Sequence, residues 1–248
     1  MSSIQATDRL LAGYCVCRAC DPTGRRRVSR RGFVAASVAS AFAMGAVATL
    51  APGSARAQTT LAPDAALARL MDGNARFVAG RLDSFDEDLA ILKQNTVAKQ
   101  EPFAAVLSCA DSRVPVELVF DQSIGHVFVT RVAGNICTPE IIASLEYGAA
   151  VLGTAVIVVL GHSGCGAVSA TIAAKSVPGQ ISALYAPIRP AVERAGSNLD
   201  AAIKANAQIQ ADLLRTASPV IAGLVAGGKL KVAAGFYELA SGRVSLLA

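Results

Sequence analysis

Residues 155–166 read Ala-Val-Ile-Val-Val-Leu-Gly-His-Ser-Gly-Cys-Gly, and the first six of these decide the fold class. A short, unbroken, β-branched run suits a strand buried on both faces, as at the centre of a parallel sheet. The run stops at a glycine, and within five residues of Leu160 come a histidine, His162, and a cysteine, Cys165. Gly161, Gly164 and Gly166 let the backbone turn tightly there, so that both side chains can face one point.

Working outward, Thr138-Pro139-Glu140 offers an N-cap, a proline suited to the first helical position and an acidic first turn. A helix is expected from there to about Leu152. Ahead of it, Phe103 to Ser108 and His126 to Thr130 read as strands. Leu67, Leu70, Met71, Phe77 and Val78 recur at helical spacing between Pro63 and Gly80, and a second, more charged helix is expected over about Asp86 to Asn95. Downstream, residues 181 to 226 are Ala-rich and helical in pattern, with breaks expected at Pro187, Pro190 and Pro219. Lys229 to Phe236 and Arg243 to Leu247 read as two strands joined around Ser241-Gly242. The alternation of strand, helix and strand predicts an α/β fold: a central, mostly parallel β-sheet flanked by helices. No repeat or low-complexity linker interrupts residues 58–248, which read as a single domain.

The 248-residue chain is 53% hydrophobic but 5% aromatic, so its core must be built from Ala, Val, Leu and Ile. A net charge of +5 would point to nucleic acid or an anionic surface if it were spread over the fold. It is not. Residues 1–57 hold eight arginines against Asp8 and Asp21, whereas 58–248 carry fifteen basic and sixteen acidic groups, so no nucleic-acid partner is expected.

Arginines from Arg25 to Arg31, an apolar stretch from Phe33 to Leu50, and Ala55-Arg56-Ala57 before Gln58 mark residues 1–57 as a signal peptide. Ser29-Arg30-Arg31-Gly32-Phe33-Val34 resembles the twin-arginine export signal, which implies a periplasmic or otherwise exported protein that crosses the inner membrane already folded. The competing reading is an uncleaved anchor, because about 18 apolar residues can span a bilayer. The many Ala, Gly and Ser residues weaken it, and no stable membrane insertion is expected after cleavage. Cys15, Cys17 and Cys20 have no fourth ligand nearby. Beyond the leader, Cys109, Cys137 and Cys165 are an odd set that argues against a disulfide framework.

Cys109 follows one expected strand, and His162 with Cys165 follows another; in an open parallel sheet such carboxyl ends converge on one crevice. Two thiolates and an imidazole suit zinc, and three protein ligands leave a fourth tetrahedral position for water or substrate. Taken singly, each has a plainer reading: a hydrogen-bonded loop histidine, and cysteines that are small buried residues.

The surrounding residues overturn those plainer readings. Cys109-Ala110-Asp111-Ser112-Arg113-Val114-Pro115 and Leu160-Gly161-His162-Ser163-Gly164-Cys165-Gly166 together strongly resemble the signatures of β-class carbonic anhydrases. The resemblance continues through Gly73-Asn74-Ala75-Arg76-Phe77, Arg131-Val132-Ala133-Gly134-Asn135 and Ala143-Ser144-Leu145-Glu146-Tyr147 towards the end of the chain. It implies a β-carbonic anhydrase-like domain over 58–248, with Zn2+ on Cys109, His162 and Cys165, and Asp111 with Arg113 as the paired acid and base beside it. It also implies Gln100 and Gly166 as substrate contacts, and a homodimer or higher homo-oligomer, since many relatives place such a glutamine across a dimer interface. Read alone, Gln100 is also a solvated helix-end residue. Two departures stand out: His126 where relatives often have an acid, and Val132 where they often have a polar residue. Cys137 has no motif partner.

The activity implied is reversible hydration of carbon dioxide to bicarbonate and a proton. Zinc can lower the pKa of water from about 15.7 towards about 7. Two thiolates should make it a weaker Lewis acid than three histidines would, which predicts an alkaline optimum. Asp111 can orient the attacking oxygen while Arg113 fixes the carboxylate; without that clamp, Asp111 would be free to fill the fourth position, a closed state. Hydrolysis of carbonyl sulfide or carbon disulfide on the same scaffold, and a zinc- or bicarbonate-binding module without turnover, are the alternatives. A thiol redox role is disfavoured by the lack of a Cys-x-x-Cys pair.

Overall fold

A computed structural model describes residues 59–84, 93–94 and 96–248. The leader, and most of the helix expected over 86–95, lie outside the described residues. In chain order the elements are α1 (Pro63–Val78), β1 (Ala104–Ser108), α2 (Val116–Val119), β2 (Val127–Arg131), α3 (Pro139–Glu146), β3 (Val156–His162) and α4 (Gly166–Ala173). There follow α5 (Tyr185–Ala195), α6 (Leu199–Ala217), α7 (Pro219–Ala226), β4 (Lys231–Tyr237) and β5 (Val244–Leu247).

The five strands form one sheet in the order β2-β1-β3-β4-β5. The first four are parallel, and β5 closes the edge antiparallel to β4. The chain moves from β1 outward to β2, then returns to the other side of β1 to lay down β3. Strand order therefore reverses between β1 and β3, the place where open α/β sheets form their ligand crevice. Ser108 pairs with Leu160, so Cys109 leaves the sheet beside Gly161-His162, the last two residues of β3, which stay paired with β4.

The two central strands behave as their composition requires. All five residues of β1 and all seven of β3 are buried. Their side chains alternate between two clusters. Val106, Val158 and Leu160 pack with Leu67 and Leu70 of α1 and Phe120, while Leu107, Ile157 and Val159 pack with Leu145, Leu214 and Ile221 from α3, α6 and α7. Each such side chain stabilises the fold by about 1.5–3 kcal/mol relative to exposure.

Helix α1 is fastened by its Gly73-Asn74-Ala75-Arg76-Phe77 segment. Asn74 Nδ2 donates to Val119 O at 3.0 Å and Gly242 O at 2.9 Å, and its Oδ1 accepts from Val244 N at 2.8 Å. One buried amide thus ties α1 to the end of α2 and to the β4–β5 hairpin. Arg76 Nε donates to Asp121 Oδ2 at 2.5 Å. Burial pushes the Asp121 carboxyl up, but hydrogen bonds from Ser84, Arg76 and Asp83 outweigh it and leave it lowered to about 2. A folded pKa below the unfolded value of about 3.9 means that this contribution is present above about pH 4 and is lost as the pH falls through about 2.

Two local expectations are corrected. Pro187 and Pro190 do not break the helical region; both lie in α5. Pro187 sits in the first turn, where an amide needs no partner, and Pro190 is accommodated without its own donor. The break falls instead at Gly196, whose φ of +65° ends α5. The break expected at Pro219 is present: α6 ends at Ala217 and Pro219 opens α7 with Ser218 as its cap, the side chain accepting from Ile221 N. The helix expected to reach Leu152 turns π-helical over Tyr147–Val151 before it ends.

Candidate metal centre

Cys109, at the end of β1, and His162 and Cys165, at and beyond the end of β3, are buried, and their ligating atoms all lie within 4.8 Å of one another. A tetrahedral ion with bonds of about 2.0–2.3 Å needs such atoms roughly 3.5–3.8 Å apart, so the group requires only a small contraction around zinc. His162 is 0% exposed, and its Nδ1 lies 3.0 Å from Ser163 O. A carbonyl oxygen only accepts, so the proton belongs on Nδ1 and the lone pair on Nε2. That Nε2 is buried with no hydrogen-bond partner. An orphaned imidazole nitrogen facing two sulfurs is a donor set lacking its acceptor, and it fits a zinc ion.

Main-chain amides hold both sulfurs. Gly134 N donates to Cys109 Sγ at 3.3 Å, with the Asp111 amide adding a second bond. Cys165 occupies the N-cap position of α4, where its thiol faces the amides of Ala167 and Val168 and a helix N-terminus favours a thiolate. The hydrogen bond from Cys165 draws the Cys109 thiol well below its ordinary range, against burial and with help from the Gly134 amide. The same bond pushes Cys165 up, and burial adds to it. The pair therefore gives up one proton readily and shares the other, which a cation arriving between the sulfurs would displace.

Asp111 and Arg113 lie at the mouth. Arg113 donates from N and Nε to Asp111 Oδ1, each at 2.9 Å, and from a terminal nitrogen to Oδ2 at 2.8 Å. That grip holds the Asp111 carboxyl well below the usual carboxylate range. Asp111 Oδ2 lies 3.8 Å from His162 Nε2, so the carboxylate borders the space the three ligands enclose.

The glycines of the His162 loop differ in their reasons. A Cβ on Gly161 would stand 2.9 Å from Ile203 Cγ2 and 3.3 Å from Ile203 O, so α6 requires glycine there. Gly164 has φ +66°. Gly166 meets neither constraint: it begins α4 with open space beside its Cα.

Gln100 is not brought to this group by its own chain. It is exposed and precedes the N-terminal end of β1, whereas Cys109 follows the other end, about 16 Å of strand away. His126 is likewise remote from the ligands, with Nδ1 3.4 Å from an Arg69 nitrogen. Cys137 packs in the core beside α6, where burial pushes its thiol up to about 12. Among the described residues Cys109, Cys137 and Cys165 are all free thiols.

One contributor had no role assigned from sequence. Arg131 donates from Nε to Cys109 O at 2.9 Å and from a terminal nitrogen to Asp111 O at 2.5 Å, clamping the ligand loop by its backbone. An arginine closing a strand beside the ligand-bearing strand was the available signal.

A Cys–His–Cys group whose donor atoms could hold one metal ion, bordered by an arginine-clamped carboxylate at the reversal point of a parallel sheet, is a candidate metal centre. Comparison with known proteins narrows the class. The carbonic anhydrase family model matches residues 104–244. Carbonic anhydrase 2 of Mycobacterium tuberculosis is 36% identical over 195 residues, covering 74% of this chain and 92% of the relative. The Mycolicibacterium smegmatis carbonic anhydrase is 38% identical over 192 residues, covering 74% and 93%. The β-carbonic anhydrase of Coccomyxa, solved with acetazolamide, superposes with a TM-score of 0.58 at 25% identity, over 73% of this chain and 86% of that one. The chain belongs to the carbonic anhydrase family, in its β class.

Proposed function

We propose that this carbonic anhydrase works as a zinc enzyme, hydrating carbon dioxide to bicarbonate at Cys109, His162 and Cys165. The observation that carries this is the buried, unpartnered Nε2 of His162 beside two sulfurs, that of Cys109 already hydrogen-bonded by the Gly134 amide. When bound, zinc supplies a water of strongly lowered pKa and so a nucleophile near neutral pH.

The remaining work falls to the chain. Asp111 stays ionised because Arg113 engages both its oxygens. It therefore accepts a hydrogen bond from the attacking water and directs that oxygen's free lone pair towards carbon dioxide. Held this way, Asp111 stays out of the ligand set. With zinc bound, two thiolates would balance the ion's charge and leave its water less acidic than beside three histidines, and an alkaline optimum is expected. The decisive experiment is stopped-flow hydration on the purified protein with zinc measured in the same sample. Rates proportional to zinc support the reading; full zinc without hydration refutes it, and carbonyl sulfide or carbon disulfide as sole substrates would reassign the activity.

Asp111→Ala is expected to keep its zinc and to lose at least about tenfold in kcat/KM, the range for a positioned acid or base. Unchanged turnover would remove Asp111 from the mechanism.

The active form is a homo-oligomer, at least a dimer, because Gln100 can hydrogen-bond bicarbonate only if a second copy carries it to the site. Sedimentation of the active protein as a monomer would contradict this. The leader's Ser29-Arg30-Arg31-Gly32-Phe33-Val34 directs twin-arginine export to the periplasm, and folding with zinc beforehand would shield both thiolates from oxidants. The double variant Arg30→Lys, Arg31→Lys should stay in the cytoplasm; continued export in a strain with only that route would exclude the signal. No helix among the described residues is long and apolar enough to cross a membrane.

A further inference from the structure

Helix α6 carries two primary amides on a face that otherwise only packs. Asn206 and Gln210 are 0% and 1% exposed, one turn apart, among buried Ala202, Ile203, Ala207 and Leu214. An amide buried among apolar groups is unfavourable unless its hydrogen bonds are made, and leucine would fill such a site better if packing were the sole demand.

These amides form a connected strut. Gln210 Nε2 donates to Pro187 O at 3.1 Å and to Asn206 Oδ1 at 3.3 Å, while its Oε1 accepts from Cys137 N at 2.8 Å. Asn206 Nδ2 donates to Gly134 O at 2.8 Å. Gly134 is the residue whose N–H meets Cys109 Sγ at 3.3 Å. Its φ is +76° and that of Asn135 +44°, so the turn here is two successive left-handed residues that need outside support. On the opposite side, a Cβ on Gly134 would lie 2.7 Å from Ile188 Cδ1, so α5 closes against it.

We propose that Asn206 is a positioning residue for the metal ligand Cys109, pinning Gly134 so that its N–H stays aimed at the sulfur. The N–H···S bond keeps the sulfur turned towards His162 and Cys165, so that it is already placed for a cation, and sets the electron density it presents there. The inference rests on the zinc reading above only in taking Cys109 as a ligand.

The test uses the full chain carrying Asn206→Leu or Asn206→Asp, both near the native volume and lacking the donor, beside Leu214→Val, a buried change on the same helix that removes none of the strut's hydrogen bonds. Zinc affinity is read by chelator competition, the thiolate-to-metal absorption band after cobalt substitution, and thermal stability on each sample. Both Asn206 variants should bind zinc about tenfold more weakly and shift the cobalt band, as loss of a ligand's supporting partner does. Leu214→Val should lose stability and move neither. Folded Asn206 variants with native affinity and band would make Asn206 a packing residue and overturn the proposal. If neither variant folds, the unsubstituted protein loaded with cadmium-113 decides: a through-bond coupling to the Gly134 amide proton is expected, and its absence overturns the proposal. Failure of the unsubstituted chain to bind zinc would instead refute the zinc reading.

Discussion

Cys165→Ser should yield a folded protein with almost no zinc and no hydration above background. A serine hydroxyl does not ionise near neutral pH, so the ion would lose one of its two anionic ligands. The expected fall in affinity exceeds the 10–100-fold typical of merely supporting groups, so it is at least about 100-fold. Position makes this substitution informative. Cys165 is the N-cap residue of α4, and serine is among the preferred N-caps, so the helix should survive the change. Elemental analysis paired with a melting curve separates metal loss from unfolding, and a variant holding one zinc per chain would exclude Cys165 as a ligand.

Gly73→Ala should be among the most destabilising single-methyl additions available in this chain. A Cβ at Gly73 would lie 1.8 Å from the backbone oxygen of Phe120, 2.8 Å from its carbonyl carbon and 2.9 Å from Gln122 Nε2. The main chain there cannot rotate away as a side chain would. Helix propensity alone favours alanine by about 1 kcal/mol, so the steric argument predicts a change of opposite sign. Pushing α1 off α2 would also loosen the three hydrogen bonds of Asn74 and the Arg76–Asp121 pair. A loss of at least about 3 kcal/mol is expected, the upper end for overpacking. For a domain of this size that lowers Tm by roughly 6–12 °C. A melting temperature equal to the parent's would mean that the close approach is not maintained.

Much of the architecture was readable because its determinants are local. The 155–160 run could hardly be anything but an inner strand, and placing His162 and Cys165 just beyond it put them at the crevice before any topology was known. Cys109 was legible for the same reason. Other features depend on neighbours distant in sequence. Pro187 and Pro190 signal a break by themselves, yet α5 accommodates both, one of them in its first turn. Gly73-Asn74-Ala75-Arg76-Phe77 stood out as part of the resemblance, but only the fold reveals that it fastens α1 to the β4–β5 hairpin. Asn206 and Gln210 passed unnoticed because a polar pair on an Ala-rich helix looks like a solvated face. Gln100 shows the limit from the other direction: it precedes the end of β1 opposite the ligands, and what a neighbouring copy would bring to the site no reading of one chain can supply.

The sulfurs of Cys109 and Cys165 are each met by peptide N–H groups. Every residue except proline brings such a hydrogen, whatever its side chain, so the electronic character of these two atoms is encoded in the path of the backbone and hardly at all in the identity of the loop residues. Exchanges of Ala167 or Val168 that keep the path should therefore leave that character alone. Adding or removing a single residue between 131 and 137, or between 162 and 168, would change it at once, so the length of these loops matters more to the sulfurs than their side chains do.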